Sequence, residues 1–174
     1  MLTTPKRETI QKRMTENNQD NLQKVVIVPC SGIGKTYGTV TREAAYNVTE
    51  DLRPEQTQLV ALSLLVLGDE SARASLVDSP AVTIDGCKLA CATKMVQECG
   101  GNVVKDFAVL DVYRRYKQFK PQGIAELNAG GYKLAEALAE EVAAVVDGLV
   151  DEQDTLVRDL LIRSDSSSEG GSYG

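Results

Sequence analysis

Residues 24–36 read Lys24-Val25-Val26-Ile27-Val28-Pro29-Cys30-Ser31-Gly32-Ile33-Gly34-Lys35-Thr36. The run from Lys24 to Pro29 is β-branched and shows no polar alternation, which is the pattern of a parallel strand buried on both faces. A glycine-containing loop follows it directly, and then sequence with helical character. Strand, loop and helix in that order begin an alternation that the rest of the chain continues.

The first helix is predicted over Thr36 to Asp51, with Val40, Ala44, Ala45 and Val48 at helical spacing and Pro54 as its stop. Thr57 to Leu67 is a largely apolar run whose periodicity alone does not separate strand from helix, and it is read as a strand followed by a helix. Gly68-Asp69 breaks that run, and Glu70 to Val77 reads as a short helix. Ala81 to Ile84 is the third strand, Cys87 to Cys99 a helix closed by Gly100-Gly101, and Val103 to Leu110 the fourth strand. The longest helix is expected from Gly131 to about Val150, with Leu134, Leu138, Val142, Val145 and Leu149 on its covered face. These elements predict an α/β fold: an open three-layer, Rossmann-like sandwich around a mostly parallel sheet of roughly four strands. Residues 1–23 read as a polar N-terminal extension, 24–150 as the α/β domain, and 151–174 as an acidic, Ser/Gly-rich C-terminal tail.

Composition narrows the function. The 174 residues carry 19 Lys and Arg against 25 Asp and Glu, and a net charge of −6 with no cationic cluster argues against a nucleic-acid partner. No apolar stretch approaches the roughly 20 residues of a membrane-spanning helix and the polar start lacks a signal-type apolar region, so no membrane partner and a cytoplasmic protein are expected. Val146 and Val150 leave surplus apolar surface on the long helix, to be covered by the sheet or by a second copy in a homodimer. Histidine is absent, which removes the commonest general base and metal ligand, so any chemistry rests on sulfur or oxygen.

Four cysteines, Cys30, Cys87, Cys91 and Cys99, read as reduced thiols suited to metal binding or redox chemistry. Cys30 follows the first strand and Cys87 the third, so neighbouring strands would put both at the carboxyl edge, where open α/β sheets bind their ligands. A helix starting at Cys87 would bring Cys91 onto the same face, about 5–6 Å away at Cβ, and would favour the Cys87 thiolate at its N-terminus. Cys99, roughly 12 Å further along that helix, is out of reach of a shared ion and reads as a packed interior residue. Asp85 is either a further ligand or a carboxylate bonded to loop amides. Lys35 and Thr36 after Gly34 invite comparison with a phosphate loop, but Pro29 stands where that motif requires glycine. A degenerate nucleotide site is the least favoured reading, while an anion held by Ser31, Gly32, Gly34, Lys35 and Thr36 is retained.

The tripeptide Asp85-Gly86-Cys87 with Cys91, preceded by Val28-Pro29-Cys30-Ser31-Gly32, resembles the DGC-domain family over residues 24–150. That resemblance implies a small prokaryotic protein described as zinc-binding on account of four chelating cysteines, with no assigned reaction. By resemblance, Cys30, Cys87 and Cys91 are family cysteines. A further one is implied near Ala61-Leu62-Ser63, where this chain has none. The leading expectation is therefore a metal-binding protein, zinc first, with ligands Cys30, Cys87 and Cys91 and a position completed by Asp85, Ser31 or water. Another thiophilic metal or an iron–sulfur cluster suits the same donors. The alternative is a thiol/disulfide redox protein pairing Cys30 with Cys87.

Overall fold

The computed structural model describes residues 23–32 and 34–167. Residues 1–22 of the expected N-terminal extension, and residues 168–174 of the expected tail, lie outside the described residues. Lys24–Leu149 form one compact unit, and the chain from Val150 belongs to another.

The sheet has four strands, β1 (Val25–Pro29), β2 (Thr57–Leu59), β3 (Pro80–Asp85) and β4 (Asn102–Ala108), in the order β2-β1-β3-β4. All three pairings are parallel, with Val25 opposite Thr57, Pro29 opposite Ile84 and Asp85 opposite Ala108. The chain thus winds from β1 to one side, returns across it, and continues outward on the other side. The strand order reverses between β1 and β3, which makes their carboxyl ends the switch point of the sheet. Val25 to Val28 are fully buried, as a central strand covered on both faces requires. On β4, Lys105 and Asp106 stand exposed in mid-strand, a charge placement that suits a sheet edge.

The helices are α1 (Thr36–Tyr46), α2 (Leu62–Leu67), α3 (Glu70–Ala74), α4 (Cys91–Glu98), α5 (Val109–Arg115) and α6 (Ala129–Ser167). The first expected helix changes pitch at Asn47, where a π-helical turn, Asn47–Leu52, ends with the Arg53 N–H donating to the Val48 carbonyl at 2.7 Å. The ambiguous run at Thr57 divides into β2 and α2, separated by an extended Ala61. Gly68 closes α2 in the left-handed region, and Asp69 Oδ1 accepts the Ala72 N–H at 2.8 Å to start α3.

One face of the sheet packs a single apolar cluster: Val26, Val28 and Ala81 from the strands and Cys30 just beyond β1 meet Leu62, Leu65, Ala72, Leu76, Ala92 and Val96 from α2 to α4 and their connections. On α6 the buried stripe is Leu134, Leu138, Val142 and Val146, flanked by Ala135, Ala139 and Ala143. Val146, expected to be surplus, is interior, whereas Val145 is only half-buried. Steps of four from Leu134 land on Val146, and the helical period selects that residue over its neighbour. Two ion pairs fasten this part of α6: Asp147 to Arg53 after the π-helical turn, and Glu141 to Arg115 at the end of α5.

The long helix was expected to end near Val150, and it continues to Ser167. Residues 151–163 contain neither Gly nor Pro and retain Leu and Val among helix formers, so no residue in them stops the helix. Among the described residues no helix is long and apolar enough to cross a membrane.

Candidate functional site

Cys30 is the first residue beyond β1. Its N–H donates to the Ile84 carbonyl at 2.8 Å, which carries the β1–β3 ladder one step past the strand end and sets Cys30 beside Asp85, about 4.8 Å away in the direction of the ladder. Alternation turns the Cys30 side chain to the face of Val26 and Val28, toward α4, and it is 6% exposed. The neighbouring Asp85 carboxylate reaches the same helix. Its Oδ1 accepts the Ala92 N–H at 2.9 Å, while Oδ2 accepts the Thr93 N–H at 3.1 Å and the Thr93 hydroxyl at 2.8 Å. Thr93 Oγ1 also lies 2.7 Å from the Thr83 hydroxyl on β3. A carboxylate at the end of one strand therefore caps the next helix from outside its sequence, satisfying amides that a helix start leaves unpaired.

That cap corrects the expected helix. Helix α4 begins at Cys91, four residues after the predicted start at Cys87. Residues between them form a turn in which the Ala90 N–H donates to the Cys87 carbonyl at 3.2 Å, with Ala90 in the left-handed region at φ 52°. Asp85 bonds Ala92 and Thr93, so the helical amides start there and the preceding residues are left to the turn. Cys87 and Cys91 consequently do not share one helix face, and Cys91 rather than Cys87 occupies the helix N-terminus. Cys91 is exposed, Cys87 half-buried in the turn, and Cys99 half-buried at the far end of α4 against the apolar cluster.

The loop after Cys30 is shaped by close backbone approach. Gly32 has φ 48°, and a Cβ there would fall 2.1 Å from the Gly38 Cα, so the two glycines press directly together. A Cβ on Gly86 would come within 3.2 Å of the Gly38 nitrogen, so β3's extension also bears on the start of α1. Thr41, buried on α1, turns its hydroxyl to the Cys30 carbonyl at 2.8 Å and the Gly38 carbonyl at 2.7 Å. Arg42 donates to the Ser31 carbonyl and, at 3.1 Å, to Thr39 Oγ1. Ser31 and Thr36 are half-buried, whereas Gly34, at φ 76°, and Lys35, which precedes α1, are exposed. Sequence reasoning missed Thr41, Arg42, Thr93 and Gly38. The available signal was a polar hydroxyl at positions 41 and 93 among small or apolar helix residues, Val40, Ala44 and Ala45 around the first and Ala92 and Val96 around the second.

Burial pushes the Cys30 thiol up from its ordinary pKa. Amides of Gly86 and Gly32, hydrogen-bonded to its thiolate, pull in the other direction, and the charges of Asp85 and Cys91 push up again. Among the described residues no group of three or more Cys, Asp or Glu side chains is gathered closely enough to hold a metal ion. Cys30 lies one residue past β1, Cys91 is the first residue of α4, and Cys87 stands in the turn between β3 and α4. The donor chemistry suits a thiophilic ion, and the arrangement presents it incompletely.

The family model of the DGC domain matches residues 26–147, a span that runs from β1 into α6 and contains all four cysteines. The chain belongs to the DGC domain family. Comparison with curated proteins and with solved structures gives no match. Within this DGC domain the segment Ala61-Leu62-Ser63, where the resemblance implied a further cysteine, opens α2 just beyond β2. Leu62 there is buried in the cluster that holds Cys30. Ala61 and Ser63 on either side of it are exposed.

Proposed function

We propose that this DGC domain binds a thiophilic metal ion, zinc first, through the thiolates of Cys30, Cys91 and Cys87 at the switch point of the sheet. The observation that supports the reading is Asp85: its carboxylate ties the first turn of α4, which Cys91 opens, to the end of β3, the strand beside the one that Cys30 follows. Asp85 acts here as the residue that positions Cys91, because its carboxylate already accepts three hydrogen bonds. Ligation by Cys87 draws in the Cys87–Ala90 turn, whose single internal hydrogen bond and left-handed Ala90 make it the least firmly held part of the site. Three thiolates leave one coordination position for water, and a bound zinc ion would supply Lewis acidity there.

Cobalt(II) titration of the reduced protein under anaerobic conditions tests this. The expected result is a thiolate-to-cobalt charge-transfer band that saturates at one equivalent and weakens in Cys91→Ser. Absence of the band, or its persistence unchanged in Cys91→Ser, contradicts the reading.

A further inference from the structure

Cys30 and Cys91 differ in one respect that metal binding does not use: the first is nearly sealed from solvent and the second is open to it. An oxidant arriving from solution meets Cys91 first, while Cys30 lies buried one residue past β1, beside the strand end whose carboxylate holds the start of α4. Exposure selects which cysteine is oxidised, and an adjacent thiol decides whether the product is trapped as a disulfide. Packing favours Cys30 as that second thiol. Cys30 and Ala92 share one apolar cluster, and Asp85 beside Cys30 is bonded to the amide following Cys91.

We propose that Cys30 and Cys91 are a peroxide-responsive redox pair, with Cys91 as the oxidised thiol and Cys30 as the one that closes the disulfide. The Cys91 thiolate attacks an oxygen of a hydroperoxide and the O–O bond breaks. Sulfur is oxidised by two electrons to the sulfenic acid, the peroxide is reduced, and the departing oxygen takes a proton to leave as an alcohol or, from hydrogen peroxide, as water. The Cys30 thiol then attacks the Cys91 sulfur as it gives up its proton; the S–S bond forms, the S–O bond breaks, and hydroxide leaves with that proton as water. A dithiol reductant reverses the cycle by exchange, becoming a disulfide itself. The pairing uses two thiols proposed above for the metal site, but it rests on the tie that Asp85 makes between the end of β3 and the start of α4 and not on their holding an ion. It also differs from the pairing of Cys30 with Cys87 that strand positions alone suggest.

Trypsin separates the four cysteines onto four peptides, residues 25–35, 74–88, 89–94 and 95–105, so the pairing can be read directly. Full-length protein is reduced, freed of metal with a chelator, treated with equimolar hydrogen peroxide, alkylated and digested without reduction. The expected product joins 25–35 to 89–94, disappears with dithiothreitol, is retained in Cys87→Ser and is lost in Cys91→Ser. Full alkylation of Cys30 after oxidation, or a crosslink from 25–35 to 74–88 in the unmutated protein, overturns the proposal. Zinc affinity measured on the reduced sample separates the two readings. A protein that binds zinc without forming the crosslink refutes the redox pair alone, and one that forms the crosslink without zinc affinity supports the pair and refutes only the metal site.

Discussion

Asp85 carries more of the architecture than any other side chain at the switch point. It is 4% exposed, and its two oxygens accept from Ala92, Thr93 and the Thr93 hydroxyl. Asp85→Asn keeps one acceptor oxygen and turns an NH2 group toward donors. Hydrogen bonds to a charged group contribute roughly 1.5–3 kcal/mol each, and a mispaired buried donor adds its own cost. The expected loss of unfolding free energy is about 2–3 kcal/mol, read as a lower urea midpoint with unchanged slope. A midpoint within error of the unmutated protein would show that α4 starts without the carboxylate. At this scale the sequence was only partly legible. It offered Asp85 as either ligand or amide acceptor, and the hydrogen bonds to Ala92 and Thr93 required knowing that the last residue of β3 faces a helix beginning six residues later. A cap supplied from outside its own helix leaves no local spacing to read.

The strand elements were visible because their causes are local. Val25–Pro29 and Pro80–Asp85 are short apolar runs ended by loop residues, and the run at Thr57 was divided correctly because Gly68 and the helix formers before it left room for both. Helix boundaries were not local. Helix α4 starts late because of Asp85, and α6 runs on to Ser167 because no residue in 151–163 stops it. The junction of loop and α1 yields a prediction of its own. A Cβ on Gly38 would sit 2.2 Å from the Gly32 Cα and 2.4 Å from its carbonyl oxygen, all backbone atoms that cannot swing aside. Gly38→Ala therefore forces the loop away from α1, at about 2–3 kcal/mol by analogy with overpacked interiors. Thermal unfolding should show a clear fall in midpoint, and with it faster alkylation of Cys30 as the loop over that thiol opens. Unchanged Cys30 reactivity in a destabilised Gly38→Ala would mean that the loop does not seal the thiol.

Across the α/β unit, α6 is fastened by its apolar stripe and by the Arg53–Asp147 pair, where Nε to Oδ1 is 2.5 Å and Nη2 to Oδ2 is 2.7 Å. The hydrogen bonds from Arg53 hold the Asp147 carboxyl below its ordinary value of 3.8, against a smaller opposing effect of burial. With the folded value depressed, the pair's contribution is present above the unfolded carboxylate pKa and is lost as pH falls through the folded one. Both side chains are partly exposed, at 32% and 43%, so solvent screening limits the contribution to under about 1 kcal/mol. Asp147→Asn should lower stability by that amount at pH 7 and by progressively less as pH drops below about 4, as followed by urea unfolding across pH. A difference that persists undiminished at low pH would assign the effect to packing instead.

The same scale holds the central proposal, since the metal site proposed above draws its ligands from the ends of β1 and β3 and the start of α4 and would form only in the folded unit. Its most direct test is zinc content per chain, measured by elemental analysis on protein purified anaerobically and re-equilibrated with limiting zinc. The account predicts one ion per chain, a content near zero in Cys30→Ser and Cys91→Ser, and one ion retained in Cys99→Ser. Zinc absent after reconstitution of the unmutated protein, or retained in full without Cys30 and Cys91, would contradict it.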